Sequence, residues 1–139
     1  MYLIDTDVVS ELRKGAKTDK NVQQFFSQAD KNGHALYLSV VTIGELRRGV
    51  EIIRHRKDTQ QAKRLEAWLK TLLHDFEEHI LEFGYEEAQV WGRLRVPHPE
   101  NALDKQIAAT ALTHGLKLVT HNTEHFEKLG LTVIDPFAE

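Results

Sequence analysis

Cysteine is absent from this chain of 139 residues. That excludes disulfides and thiolate metal sites, and it fits a reducing compartment, so a cytoplasmic protein is expected. Long hydrophobic runs are absent too: nothing approaches the ~20 apolar residues of a membrane span. The apolar start at residues 2–4 is broken by Asp5 and Asp7, too early for a signal peptide. There is no basic excess. Lys and Arg number 18 against 21 Asp and Glu, for a net charge of −3, so any pull on nucleic acid must come from local patches. One such patch is Arg54-His55-Arg56-Lys57, which alone reads as a solvated helix end. No Gly-x-Ser-x-Gly and no Walker loop occurs, which leaves nucleophilic-serine and P-loop chemistry without support. Internal repeats, low-complexity tracts and linkers are also missing.

What is present is an ordinary globular composition, 41% hydrophobic and 28% charged, long enough for one domain over residues 1–139 with a real core. Its most informative feature is an acid placed beside an apolar run, three times over. Tyr2-Leu-Ile leads into Asp5-Thr6-Asp7; Leu38 to Gly44 leads into Glu45; Asp104 opens a run through Leu112. Carboxylates at strand ends or in first helical turns lie at the rim of an α/β sheet, where such folds place their sites. Two of them ~4 Å apart repel by roughly 4 kcal/mol at an effective dielectric of ~20. A hard divalent cation with oxygen ligands relieves that cost.

Periodicity predicts alternating strands and helices. Residues 2–5 read as a buried strand, followed by a helix capped by Thr6 or Asp7 and stopped at Gly15. Asp19 caps a second helix, and Asn32-Gly33 marks a turn. Residues 35–39 form the second strand. Thr42 is expected to start a helix with Glu45 completing its capping box. The helix over 59–76 carries a stripe of Ala62, Leu65, Leu69, Leu72 and Phe76, which reads as a core or dimer face rather than a ligand groove. Further elements are a strand at 80–83, helices at 85–96 and 103–114, a strand at 118–120, a short helix at 124–129 and a last strand at 131–134. The alternation predicts a parallel sheet of four to five strands flanked by helices.

With right-handed crossovers the strand ends share one edge. Asp5 and Asn122 are expected to meet there, with Glu45 and Asp104 reaching in from their helices. Each acid also has a local explanation: Asp5 or Asp7 as a cap, Glu45 in a capping box, Asp104 favoured by the helix dipole. His121 and His125 have the spacing of a zinc pair, but without a third ligand they read as loop histidines.

These same residues carry a family resemblance. Residues 3–12, Leu-Ile-Asp-Thr-Asp-Val-Val-Ser-Glu-Leu, resemble the opening of PIN-domain proteins. Residues 39–49, 104–111 and 118–126 resemble that family's second, third and fourth motifs, in order along nearly the whole chain. The resemblance is greatest to VapC-type ribonuclease toxins. It implies a three-layer PIN-like fold and hydrolysis of RNA, such as tRNA or rRNA loops, leaving a 5′-phosphate. It implies Mg²⁺, with Mn²⁺ an alternative, held by Asp5, Asp104 and Glu45, the last directly or through water. Asn122 falls on the fourth catalytic position, and Thr6, Asp7 and Thr120 would stand behind the ligands. It further implies a homodimer and a cognate antitoxin, a small DNA-binding protein.

Two rivals remain at this point. Ile4-Asp5-Thr6-Asp7 also resembles the nucleophile and acid of haloacid-dehalogenase-like phosphatases. An inactive PIN-like binding module would be favoured by the uncharged Asn122.

Overall fold

A computed structural model describes residues 1–138. Strands β1 (Tyr2–Ile4), β2 (Leu36–Ser39), β3 (Ile80–Leu81), β4 (Lys117–Val119) and β5 (Val133–Ile134) form one sheet in the order β3-β2-β1-β4-β5. Every pairing is parallel. Helices α1 (Thr6–Glu11), α2 (Lys20–Lys31), α3 (Val40–His55), α4 (Thr59–Asp75), α5 (Tyr85–Leu94) and α6 (Ala102–His114) make the crossovers. Among the described residues no helix is long and apolar enough to cross a membrane.

β1 lies at the centre, and successive side chains on a strand face opposite ways. Ile4 therefore packs with Val8, Val22, Leu38, Leu46 and Leu69 on one face. Leu3 packs with Ile107, Ala108, Leu118 and Phe126 on the other. The result is three layers, with α1 to α4 against one side of the sheet and α6 against the other. Each such fully buried side chain contributes roughly 1.5–3 kcal/mol through apolar area removed from water.

The stripe on α4 belongs to this core. Ala62, Leu65, Leu69 and Leu72 are all buried within the chain, Leu69 completely, so they are not available as a dimer face. Phe76 packs at the edge of the same cluster, just beyond the helix.

Several local expectations are corrected. α3 begins at Val40, not Thr42: Ser39 is its cap, its hydroxyl accepting a hydrogen bond from the Val41 N–H at 3.0 Å. Glu45 therefore belongs to no capping box. α1 ends at Glu11 rather than at Gly15, and a tighter 3-10 run over Leu12–Lys17 follows. Gly15 sits within it at φ 57°, ψ −122°, a backbone that favours glycine. The expected helix at 124–129 is only a 3-10 turn over Thr123–His125. Fully buried Phe126 pins that turn to the core, and Gly130 at φ 86° redirects the chain. α6, by contrast, ends as its sequence dictates, with Gly115 in the left-handed region at φ 65°.

Candidate active site

The parallel sheet brings the C-terminal ends of β1 and β4 side by side, and Asp5 stands at that edge. It is at once the residue after β1 and the cap of α1, its Oδ1 accepting the Thr6 N–H at 2.8 Å. Its Oδ2 accepts the Thr120 hydroxyl at 2.7 Å. Asp5 is only 4% exposed and Thr120 is fully buried. Burial, followed by the negative charge of Asp7 and more weakly that of Asp104, pushes the Asp5 pKa from 3.8 to about 7, against the two hydrogen bonds.

Asp7 lies one residue inside α1. Its Oδ1 accepts from the Val8 N–H at 2.8 Å and its Oδ2 from the His121 N–H at 3.0 Å. Its pKa is also raised, chiefly by burial. The first-helix cap is thus Asp5, while Asp7 joins the acidic rim and ties it to the loop after β4.

Asp104 occupies the first turn of α6. Its Oδ2 lies 2.6 Å from Nδ1 of His125. His125 is thus an exposed loop histidine, as expected, with Asp104 as its neighbour. His121 has its own acidic neighbour, Asp135, 3.2 Å from its Nδ1. The two histidines thus face different carboxylates rather than one shared ion.

The Thr6 hydroxyl donates to Thr42 Oγ1 at 3.1 Å, joining α1 to α3. Thr42 is fully buried, and its part in the site leaves no local sequence signal, since the partners are 36 residues apart. One turn later on α3, Glu45 lines a small groove with Thr6, Ser10 and Arg13. Asn122 is exposed. Its N–H donates to Thr120 Oγ1 at 3.1 Å, so its backbone holds the threonine that in turn holds Asp5.

Asp5, Thr6, Asp7, Thr120 and Asp104 are thus gathered at one rim, with Glu45 beside it and Asn122 above it. Among the described residues no Lys or Arg forms an ion pair with Asp5, Asp7, Glu45 or Asp104. An acidic cluster without a Lys or Arg partner, made of hard oxygen donors, fits a hard divalent cation in its chemistry. Among the described residues no three acidic or histidine side chains converge tightly enough to grip an ion as they stand.

Residues 2–131 match the family described as PIN domain. The chain belongs to that family. The plasmid stability protein StbB of Pseudomonas syringae pv. tomato is 32% identical over 142 residues, covering 99% of both chains. The VapC ribonuclease Y4jK of Sinorhizobium fredii is 31% identical, covering 99% of this chain and 98% of its own. Toxin FitB of Neisseria gonorrhoeae is also 31% identical, covering 99% of both chains. The crystal structure of FitAcB from that organism superposes with a TM-score of 0.80 at 29% identity, covering 100% of both chains. In this PIN domain the match takes in the whole acidic rim, from Asp5 to Asn122. It leaves no place for the dehalogenase-like reading of Asp5 as a nucleophile.

Proposed function

We propose that this PIN domain is a metal-dependent endoribonuclease and the toxin of a toxin–antitoxin pair. The observation that carries the reading is Asp5: a buried carboxylate at the sheet edge, raised to about 7 by burial and by neighbouring acids. Carboxylates perturbed this strongly by burial and by neighbouring charge cluster at functional sites. The names of its relatives, a VapC ribonuclease and a toxin, support the same reading.

Asp5 and Asp104 would hold Mg²⁺ or Mn²⁺, with Glu45 approaching from α3 directly or through water. Such an ion lowers the pKa of bound water and stabilises charge on a scissile phosphate. The chain's own residues do the rest. Thr120 and the Thr6 N–H fix both oxygens of Asp5, so the carboxylate is held before any ligand arrives. Asp7 spends its oxygens on two backbone N–H groups and contributes charge rather than reach. His125 fixes the orientation of Asp104. Asn122, neutral and exposed, would orient a phosphate oxygen or a water. An antitoxin would silence the site most simply with a guanidinium, whose fork of donors bridges carboxylates.

The test is cleavage mapping of tRNA and rRNA with purified protein, with Mg²⁺ and with EDTA, beside Asp5→Asn and Asp104→Asn. Cuts leaving 5′-phosphates that vanish in EDTA and in both variants are expected. Cleavage that survives EDTA or both substitutions refutes the metal mechanism. A folded wild type that cuts no RNA points to the inactive binding module. Growth arrest on expression of this chain, relieved by co-expressing the neighbouring reading frame, is expected of the toxin.

A further inference from the structure

Leading away from the acidic rim is a groove that the mechanism leaves unused. It starts at Thr6, Ser10 and Glu45 and runs between the 3-10 segment after α1 and the flank of α4. Its continuation is lined by Arg13, Lys14, Arg64 and Trp68. Arg13, Leu65 and Trp68 line both stretches, so the two adjoin. Arg13, Lys14 and Arg64 are exposed, and Trp68 is half-buried with one side against the core. Lys14 is paired with Glu11 at 2.8 Å. Among the described residues Arg13 and Arg64 have no carboxylate partner. In a chain of net charge −3, two free guanidinium groups flanking an indole, at the mouth of an acidic site, form a local inversion of charge.

We propose that this groove is the track for single-stranded RNA, its backbone lying between Arg13 and Arg64 and one base resting on Trp68, so that the strand is delivered to the acids past Thr6. The proposal rests on the ribonuclease reading and names where that enzyme holds its substrate. The chemistry is that of single-strand binding in general: cations track the phosphates while an aromatic face accepts any base. An anionic backbone also solves a problem of approach. The acidic rim repels phosphate, and the two arginines supply attraction just outside it, where it does not compete with the metal position.

The experiment measures binding apart from cleavage. A short fluorescent oligoribonucleotide of mixed sequence is titrated in EDTA against the wild type, the Arg13→Glu/Arg64→Glu double variant, Trp68→Phe and Trp68→Ala. A Trp91→Phe background leaves Trp68 the sole tryptophan of the chain's two. RNA is expected to quench Trp68 emission. Trp68→Ala is expected to weaken binding about 5- to 150-fold, the range of one lost base stack, with Trp68→Phe between it and wild type. The arginine pair is exposed, so its double variant is expected to fold. Its double variant is expected to bind more weakly and to lower the slope of log affinity against log salt by about 0.7 per lost phosphate contact. Unchanged affinity and salt slope in the arginine variant, or no quenching, overturns the track even if wild type cleaves RNA, and the ribonuclease reading then stands alone. Quenching and weakened variants in a protein that never cleaves RNA uphold the track and remove the nuclease. Variants that lose only the neighbouring reading frame's product, and bind RNA as before, assign the groove to a protein partner and overturn the proposal.

Discussion

The Thr120 hydroxyl donates to Asp5 Oδ2 at 2.7 Å, across 115 positions of sequence and with both groups buried. The bond joins the end of β4 to the end of β1, and it opposes burial by favouring the charged carboxylate. Thr120→Val keeps the shape and removes the donor. Its expected cost is about 1–3 kcal/mol, the penalty for a buried acceptor left unpaired. Urea unfolding measures it. The acid limb of any cleavage–pH profile is expected to move to higher pH, because the bond that lowered the Asp5 pKa is gone.

Asp5 also makes stability depend on pH. Its folded pKa, about 7, lies above its ordinary value of 3.8, so the folded state binds the proton more tightly than the unfolded chain. The resulting penalty is absent below pH ~4, grows as pH rises, and is complete above pH ~7, where roughly three pKa units amount to about 4 kcal/mol. Asp5→Asn removes it. The variant is expected to melt higher than wild type at pH 8 and to lose that advantage at pH 4. Melting curves at the two pH values decide; equal midpoint differences at both refute the assignment.

Divalent ions are expected to reverse the same penalty. Mg²⁺ at about 100 times its dissociation constant stabilises the folded state by roughly 2.7 kcal/mol if it binds that state alone. The gain is expected to shrink as pH falls through 7 and Asp5 takes up its proton. Melts in Mg²⁺ and in EDTA at pH 8 and pH 5.5 measure it, and a shift of equal size at both would show binding that does not involve Asp5.

His125 is exposed, yet its Nδ1 lies 2.6 Å from Asp104. His125→Ala is expected to change stability by less than ~0.5 kcal/mol, as surface substitutions do. If Asp104 holds the proposed ion, losing the group that orients it is expected to cost about 10- to 100-fold in activity or metal affinity. Unchanged cleavage together with unchanged Mg²⁺ affinity removes His125 from the site.

Leu69 is fully buried in the core between α4 and the sheet. Leu69→Ala is expected to cost about 2–5 kcal/mol, and Leu69→Glu to unfold the chain rather than split an assembly. A folded, monomeric Leu69→Glu protein seen by circular dichroism and light scattering would return the stripe to a dimer face.

Much of this was legible because β1 announces itself. A three-residue apolar strand ending in Asp5 fixes both a central position and a rim, and Asp104 after Leu103 does the same for α6. Glu45 shows the limit. Its spacing from Thr42 imitates a capping box, but Ser39 is free to cap earlier, so α3 starts at Val40 and the glutamate is left to face Thr6 and Ser10. The contacts made by His125 and Thr42 were invisible for a different reason. Their partners lie 21 and 36 residues away, and no local periodicity encodes a pairing made by the crossover of one layer onto another. The groove beside Trp68 was hidden by its own neighbours, because the stripe that builds the core also supplies one wall.

The sheet order has a temporal consequence during synthesis. β1 is made first yet sits between β2 and β4, so the ribosome releases Asp5 long before it releases Thr120. A nascent chain lacking its last fifth has the first acid but neither the hydroxyl that holds it nor the amide of His121 that holds Asp7. A prematurely terminated product therefore lacks both supports of the acidic rim, and the rim is complete only once synthesis is nearly finished.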